Sequence, residues 1–411
     1  MQTTRTLLLA ALLTFSTFAG AQKYVGGDIS LLTKMEAAGS KYTDHEGNAI
    51  ASPLAFFREE GMNAMRVRLF VNPENDTEDE NVCQDLAYVK ALGQRIKAAG
   101  FRLMLDFHYS DTWADPSKQW TPLEWLGLSD AAMAEKIYDY TREALRQLVE
   151  AGATPDFIQV GNEVSYGMLW GASTQSESQL RKCYTNRDAN WDYFTTLLSG
   201  ASRACREVCP DARLIIHTER VAQPDVLTGI YDRIDRAGVD YDIIGLSYYP
   251  YFHGDFSKLE QALAAMETVS EKDIMMVETG YPLKWPIGGT TFDYTATYPY
   301  TGSGQQRFTH DLIALLNRHS RVTGLFWWNM EYNAYGTSLT GWYNAPLFDS
   351  ETGRATSALS ELQGFLDDAS GIGSPIENSS AQRLSYTLAG AKVSAGAAGI
   401  YIRDGRKYIR K

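Results

Sequence analysis

Two glutamates in this sequence come just after short apolar runs, and their carboxyl groups could do acid–base and nucleophilic chemistry. Glu163 follows the run Phe157–Val160, and Glu278 follows Ile274–Val277. Two facing carboxyl groups suit glycoside hydrolysis, because one can stay protonated to donate to the leaving oxygen while the other is ionised. Either glutamate alone could equally form a salt bridge or cap a helix. Their matching positions favour the catalytic interpretation.

The segment after the run Arg102–Phe107 is dense in polar and aromatic side chains. Its candidates for substrate binding are Asp106, His108, Asp111 and Trp113. Aspartate and histidine can ligate a metal ion, but no second histidine lies close by in the sequence. We therefore expect a wall of hydrogen-bonding groups for sugar hydroxyls, with neither a metal nor a cofactor.

Two arginines, Arg66 and Arg68, lie on the run Ala64–Val71. They share one face of the run, because side chains alternate along a strand. A buried arginine needs a carboxylate partner, and orienting a catalytic glutamate would be such a role. An ordinary surface ion pair is the alternative for at least one of the two.

Aromatic residues follow several of the runs. Rings at the end of a strand can stack on the apolar face of a sugar, although each ring alone could equally fill the core. The candidates for this role are Trp170, Tyr248, Tyr249 and Trp328.

These candidates lie on a regular alternation of apolar runs and amphipathic segments. Eight runs that predict strands alternate with eight segments that predict helices, so the sequence predicts a (β/α)8 barrel. The active site of such a barrel lies at the C-terminal ends of its strands, where both glutamates fall. A doubly wound open sheet is the alternative, but it would favour a glycine-rich phosphate loop after an early strand, which is absent. The predicted strands are Tyr24–Gly27, Ala64–Val71, Arg102–Phe107, Phe157–Val160, Leu214–His217, Ile243–Ser247, Ile274–Val277 and Leu325–Trp328, and the predicted helices are Pro53–Glu60, Asp85–Ala99, Ala131–Glu150, Asn190–Val208, Val226–Arg236, Lys258–Val269, Gln305–Ser320 and Ser357–Asp367.

The barrel is predicted to occupy residues 22–367, between segments of a different character. Residues 1–21 have the pattern of a secretory signal peptide, because Arg5 precedes an apolar run too short to span a bilayer and Ala19-Gly20-Ala21 offers a cleavage site. Residues 368–383 are rich in Ser, Gly and Pro and predict a linker. Residues 384–411 predict a short β-hairpin-like tail, with Asp404-Gly405 as its turn signal.

The chain has 411 residues, a net charge of −12 and a hydrophobic fraction of 44%. This hydrophobic fraction excludes a disordered chain, and the acidic balance argues against nucleic acid as a partner. After signal cleavage, no apolar stretch is long enough to insert into a membrane. We therefore expect a secreted or periplasmic protein, with the cell surface as a further destination, and a monomer by default.

Four cysteines occur after the predicted signal peptide, at Cys83, Cys183, Cys205 and Cys209. Export would permit disulfides, and four cysteines allow three pairings. Disulfides and free thiols therefore both remain open. Metal binding is less favoured, because no histidine lies at ligand spacing from these cysteines.

Five parts of the sequence together resemble glycoside hydrolase family 53, the endo-β-1,4-galactanases of clan A. The resemblance covers Tyr24 to about Asp367. It implies a barrel that cleaves β-1,4-galactan, the side chains of pectin, with retention of anomeric configuration. The matching strings are Arg66–Pro73, Asp106–Pro116, Gly161–Glu163 with Gly167–Trp170, Ser247–Pro250 and Val277–Pro282.

The same resemblance implies a role for individual residues. Glu163 would be the general acid/base and Glu278 the nucleophile. Asn162 would hold the 2-hydroxyl of the reacting sugar, while Arg66 and a tyrosine of the sixth strand would orient Glu278. Trp328 would form the floor of the reacting subsite.

Three segments depart from the family pattern. Residues 285–293 lack the acidic cluster with which some relatives bind calcium, so no calcium site is expected. Asn329-Met330-Glu331 stands where glutamate and proline are usual, and Thr218-Glu219-Arg220 where paired aspartates are common. These changes leave the outer subsites and the product length open. The alternative functions are another clan A glycanase (a mannanase or a xylanase) and a non-catalytic glycan-binding barrel.

Overall fold

The computed structural model describes residues 22–339 and 343–367, together with residues 385–387, 392–393, 399–403 and 406–410. The predicted signal peptide, 1–21, and the predicted linker, 368–383, lie outside the described residues. The chain divides into two compact units, residues 1–368 and 369–411.

Eight parallel strands close into a barrel in chain order, with β1 hydrogen-bonded to both β2 and β8. Each overlaps a predicted strand, which confirms the (β/α)8 fold. The second strand ends earlier than predicted, at Leu69, because the N–H groups of Phe70 and Val71 donate to loop carbonyls instead of to a neighbouring strand. The strands are β1 Tyr24–Asp28, β2 Ala64–Leu69, β3 Arg102–Phe107, β4 Phe157–Val160, β5 Arg213–Thr218, β6 Ile243–Tyr248, β7 Asp273–Thr279 and β8 Val322–Trp327.

Helices surround the barrel, and several begin at a capping side chain. The side chains of Ser52, Asp85, Ser129, Asp255 and Thr301 each accept a hydrogen bond from a backbone N–H of the first turn. Two helices, α1 and α7, were not predicted, because segments this short show no helical period. The last predicted helix is shorter than expected and continues as a 3₁₀ turn over Leu362–Leu366. The helices are α1 Leu32–Ala37, α2 Pro53–Glu59, α3 Leu86–Ala98, α4 Asp130–Glu150, α5 Trp191–Val208, α6 Pro224–Arg236, α7 Pro250–His253, α8 Phe256–Val269, α9 Gly302–Leu316 and α10 Ser357–Glu361.

The interior of the barrel is apolar at one end and polar at the other. The apolar end is filled by Ala64, Met104, Phe157, Ile215, Ile243, Met275, Val277 and Phe326. Two residues further along four of these strands, the inward positions carry Arg66, Asp106, Gln159 and His217, all of which are buried. A buried polar layer must satisfy its own hydrogen bonds, so this layer forms a network under the C-terminal ends of the strands.

A β-bulge between β6 and β7 sets the direction of one candidate catalytic residue. Leu246 pairs with Met276, but the next pair is Ser247 with Glu278, so Val277 is the extra residue. Strict alternation from Met275, which lies in the interior cluster, would turn Glu278 outward. The register shift instead directs the Glu278 side chain into the barrel, as bulges beside active sites commonly do.

The second unit contains a four-stranded antiparallel sheet, in the order β10-β9-β11-β12. Strands β11 and β12 pair from Gly399↔Arg410 to Arg403↔Arg406. The predicted turn residues, 404 and 405, lie outside the described residues. The strands are β9 Ser385–Thr387, β10 Lys392–Val393, β11 Gly399–Arg403 and β12 Arg406–Arg410.

The four cysteines are free thiols in the structure. Cys183, Cys205 and Cys209 are buried, and Cys83 is partly buried. Burial raises the pKa of Cys183 to about 12, which keeps this thiol protonated at neutral pH.

Within the part of the chain that the structure describes, no helix is long and apolar enough to cross a membrane.

Candidate active site

A cavity of about 770 Å³ opens at the C-terminal end of the barrel, where both glutamates were expected. Acidic, aromatic and imidazole side chains share its wall. The lining residues include His108, Trp113, Asp115, Asn162, Glu163, Glu219, Tyr249, Tyr251, Phe252, Glu278, Trp328 and Tyr343. The sequence-predicted pair Glu163 and Glu278 is thus brought together in one cavity.

Glu163 lies on a tight turn that directly follows β4. Gly161 adopts a φ of +85°, and a Cβ there would meet Val164 Cγ1 at 2.6 Å, so this position needs glycine. Glu163 itself adopts a left-handed φ of +47°, which is a strained backbone for a non-glycine residue. Its Oε1 accepts a hydrogen bond from Ser247 Oγ at 2.6 Å.

The surroundings of Glu163 favour its protonated form. Burial and the negative charges of Glu278 and Glu219 hold the pKa of Glu163 well above its usual range. Among the described residues, no lysine, arginine or histidine forms an ion pair with Glu163. A carboxyl group in this state can act as a general acid.

Glu278 has the opposite surroundings. Its Oε1 lies 2.9 Å from Arg66 Nη2, and its Oε2 accepts a hydrogen bond from Tyr249 Oη at 2.8 Å. Burial raises the pKa of Glu278, but the Arg66 guanidinium and the Tyr249 hydroxyl both favour the ionised form. Since only Glu278 has a cationic partner, a proton shared by the pair resides on Glu163, and Glu278 carries the charge.

Arg66 is the centre of the buried network beneath the cavity. It is 1% exposed, and its guanidinium contacts Asp28 Oδ2 at 3.0 Å, Asp106 Oδ2 at 2.8 Å and Asn162 Oδ1 at 2.9 Å. Arg66 and Asp106 do not line the cavity, so they act on a substrate only through the residues that they hold. A guanidinium with carboxylates on several sides fixes Glu278 in one orientation.

His108 and Asn162 form a polar part of the cavity wall. His108 Nδ1 accepts from the Ala114 N–H at 3.0 Å, and its Nε2 lies 3.1 Å from Asp106 Oδ2. Because the backbone N–H is a fixed donor, the His108 proton belongs on Nε2, directed at Asp106. Asn162 Nδ2 donates one N–H to Ala114 O at 2.8 Å and keeps a second N–H available.

Aromatic rings form the apolar part of the wall. The rings of Trp113 and Trp328 meet edge to face at 6.1 Å, and Tyr343 meets Trp328 at 5.0 Å. Trp113 is fixed from two sides, since its Nε1 donates to Asp79 Oδ2 at 2.8 Å and the Arg68 guanidinium lies 4.3 Å from its ring centre. Fixed rings of this kind suit stacking on a sugar.

Besides Asp106, three other predicted substrate contacts, Tyr248, Asp111 and Trp170, do not line the cavity. Tyr248 follows the inward-facing Ser247, so alternation turns its ring outward, and its Oη donates to a loop carbonyl. Asp111 accepts hydrogen bonds from Asn75 and from the backbone N–H of Leu123, which ties two loops together. Trp170 is buried, and its Nε1 donates to the carbonyl of the residue four positions earlier. These three side chains support the loops around the site.

Several lining or supporting residues were not predicted from the sequence. Glu219 lies on the cavity wall, and burial raises its pKa to about 7. Tyr251 lies on the short helix α7 and Tyr343 on the loop after β8, and the sequence pattern predicts the course of neither segment. His217 and Ser247 close two predicted strands, and alternation from the interior positions of those strands could have found both.

Comparison with known proteins agrees with this geometry. The sequence model of glycosyl hydrolase family 53 matches residues 24–362. An arabinogalactan endo-beta-1,4-galactanase from Cellvibrio japonicus is 31% identical over 84% of this chain and 91% of its own length. Another, from Thermothelomyces thermophilus, is 30% identical over 84% of this chain and 99% of its own length.

Solved structures show the same relationship. The family 53 catalytic domain from Ignisphaera aggregans superposes with a TM-score of 0.71 at 31% identity, covering 83% of this chain and 95% of that domain. One of two fungal beta-1,4-galactanases gives 0.70 at 29% identity, over 84% of this chain and 99% of its own. A psychrophilic family 10 xylanase gives 0.53 at 15% identity, a likeness of fold alone.

Proposed function

Because the chain belongs to glycosyl hydrolase family 53 and is therefore a glycoside hydrolase, we propose that it cleaves internal β-1,4-galactosidic bonds of galactan. Two relatives that match most of this chain are arabinogalactan endo-beta-1,4-galactanases, which supports galactan as the substrate class. The galactan side chains of pectin would be its natural source. The observation that carries the proposal is the pair of carboxyl groups, Glu163 without a cation and Glu278 beside Arg66, in one aromatic-walled cavity.

The proposed reaction is a double displacement. In the first step, a Glu278 carboxylate oxygen bonds to the anomeric carbon while the glycosidic bond breaks, and Glu163 gives its proton to the leaving oxygen. In the second step, Glu163 takes a proton from water, whose oxygen bonds to the anomeric carbon and releases Glu278. Two inversions give net retention, and the pair needs no cofactor.

The remaining cavity residues would hold the sugar chain. Trp113 and Trp328 offer ring faces for the apolar side of a galactosyl unit. The unused N–H of Asn162 suits the 2-hydroxyl of the reacting unit, and His108 lies on the same wall. Arg66 and Tyr249 keep Glu278 ionised and directed at the anomeric carbon.

Substitution of each glutamate tests the proposal. Glu163→Gln and Glu278→Gln should each remove most reducing-end release from β-1,4-galactan, because neither amide can replace the lost proton transfer or nucleophile. Glu143→Gln, at an exposed position on α4, is the matched control and should act like the parent. Near-parental activity in both cavity variants would contradict the assignment.

A substrate panel separates the alternatives. Galactan, mannan and xylan should be compared under one reducing-end assay, and we expect release from galactan. Preferential cleavage of mannan or xylan would make the protein another glycanase of the same clan. Binding of galactan without any release would identify a non-catalytic glycan-binding barrel.

We further propose export through residues 1–21, to the periplasm or the medium, on the basis of their signal-peptide pattern. Mass analysis of the exported protein should give an N-terminus at Gln22. A cell-associated chain that retains Met1 would contradict export by this route.

A further inference from the structure

Glu163, His217 and Ser247, from the ends of three strands, form a closed ring of hydrogen bonds. The Glu163 backbone N–H donates to His217 Nδ1 at 3.3 Å. On the other side of the imidazole, His217 Nε2 lies 2.8 Å from Ser247 Oγ. Ser247 Oγ donates to Glu163 Oε1 at 2.6 Å. One imidazole therefore holds the backbone of Glu163 directly and its side chain through Ser247.

The direction of these bonds follows from the donors that cannot change. A backbone N–H only donates, and the Gln159 amide nitrogen lies 3.0 Å from the same atom, so two donors face His217 Nδ1. Asn162 Oδ1 also lies 3.0 Å from Nδ1, but this oxygen already accepts from Arg66, so we assign the acceptor role to Nδ1. The imidazole proton then lies on Nε2 and points at Ser247 Oγ. Burial and the nearby Arg66 charge hold the pKa of His217 well below its usual range, so the ring stays neutral.

This fixed direction leaves Ser247 with one way to use its own proton. Its oxygen accepts from His217, so its O–H donates to Glu163 Oε1. A hydrogen bond of this kind is stronger to a carboxylate than to a neutral carboxyl oxygen. The hydrogen bond from Ser247 therefore stabilises the ionised form of Glu163 more than its protonated form.

We propose that Ser247, oriented by neutral His217, is a positioning residue that stabilises ionised Glu163 as its proton passes to the leaving oxygen. The proposal rests on the acid/base role proposed for Glu163. The same bond would hold the carboxylate in place until it takes a proton from the attacking water.

The other groups around Glu163 act against its ionised form. Glu278 on β7, Glu219 after β5 and Asp115 after β3 all raise the pKa of Glu163 by their negative charge, in addition to burial. Ser247 lowers this pKa, and His217 contributes no charge of its own while it is neutral. Ser247 thus keeps the acid from binding its proton too tightly to release it.

Ser247→Ala tests the proposal in the full-length enzyme on β-1,4-galactan, with kcat and KM measured across pH. Loss of a hydrogen bond to a charged group should move the alkaline limb of the kcat/KM profile up by about one pH unit. It should also lower kcat about tenfold, with KM within about twofold of the parent. Ser247→Thr keeps a hydroxyl and should return the limb toward the parental position.

Ser202→Ala is the control, because Ser202 is a buried serine on α5 with no hydrogen-bond partner for its hydroxyl. It should leave the profile unchanged. An alkaline limb within about 0.2 unit of the parent in Ser247→Ala, or an equal shift in Ser202→Ala, overturns the role of Ser247. If instead Glu163→Gln retains parental activity, the acid/base assignment itself fails, so the two failures are distinguishable.

Discussion

Tyr249 and Tyr248 are adjacent tyrosines with different surroundings, and removing each hydroxyl tests how the nucleophile is held. Tyr249 Oη donates to Glu278 Oε2 at 2.8 Å, whereas Tyr248 Oη donates to Gly254 O at the same distance. Both side chains are largely buried. Replacement by phenylalanine keeps the ring in each case, so only one hydrogen bond is lost.

Tyr249→Phe should impair catalysis through the ionisation of Glu278. A hydrogen bond to a charged acceptor contributes about 1.5–3 kcal/mol, which corresponds to a loss of about ten- to hundredfold in kcat/KM. The pKa of Glu278 rises when this donor is removed. Because the nucleophile must be ionised, the acidic limb of the pH profile should move up by about one to two units.

Tyr248→Phe provides the comparison. Its lost bond is to a neutral backbone carbonyl and costs about 1 kcal/mol of folding free energy, without contact to the cavity. We expect a lower Tm, parental kcat/KM and an unchanged acidic limb. Galactan assays from pH 3 to 9 would measure kcat/KM and the acidic limb of both variants, and thermal melts would measure their Tm. Equal acidic limbs in the two variants would refute the assignment of Tyr249 to Glu278.

Three further predictions concern charge, stability and metal. Glu219→Gln should move the alkaline limb of kcat/KM to lower pH, opposite to Ser247→Ala, because it removes a negative neighbour of Glu163; an upward shift would contradict this. Burial raises the pKa of Glu331 to about 8, whereas the same group in the unfolded chain releases its proton near pH 4.5. Between these two values the folded chain holds a proton that the unfolded chain has lost, so the free energy of unfolding falls as the pH rises. Glu331→Gln should therefore gain Tm over the parent at pH 8 by more than at pH 5, and an equal difference at both would count against it. Removal of calcium with a chelator should leave galactan cleavage and Tm unchanged, because residues 285–293 lack an acidic cluster. A fall in activity or in Tm that added calcium reverses would reveal a calcium site.

The barrel and the position of the glutamates follow from the sequence pattern. Each predicted strand is a short run rich in apolar residues, and the alternation of side chains places Arg66 and Arg68 on one interior face. Arg66 indeed contacts Glu278, through a guanidinium that also needs Asp28 and Asp106. Local periodicity is enough for such assignments, because a fixed strand period decides which side chains face inward.

Features that depend on contacts between distant segments could not be obtained this way. The bulge at Val277 changes the direction of the Glu278 side chain, and no residue type in β7 predicts this bulge. Alternation alone could have separated Tyr248 from Tyr249, but only if the inward position of Ser247 had been known. Asp111 and Trp170 were assigned to the site by proximity in sequence, whereas Asp111 bonds to two other loop segments and Trp170 bonds to a carbonyl of its own loop.

Buried charge is the physical cost of this site. Asp28 bonds to both Arg66 and Arg68, so one carboxylate supports the nucleophile on one side and the Trp113 platform on the other. Arg68 keeps two buried nitrogens without a hydrogen-bond partner. Such unsatisfied groups are destabilising, and their presence beneath a cavity fits a layer selected for positioning more than for stability.

The anomeric configuration of the first products tests the central claim most directly. Proton NMR during early hydrolysis of β-1,4-galactan distinguishes the newly formed reducing ends before they equilibrate. Double displacement at Glu278 with Glu163 as acid/base predicts that the β-anomer appears first. Initial release of the α-anomer would contradict the account, because it would require direct attack by water.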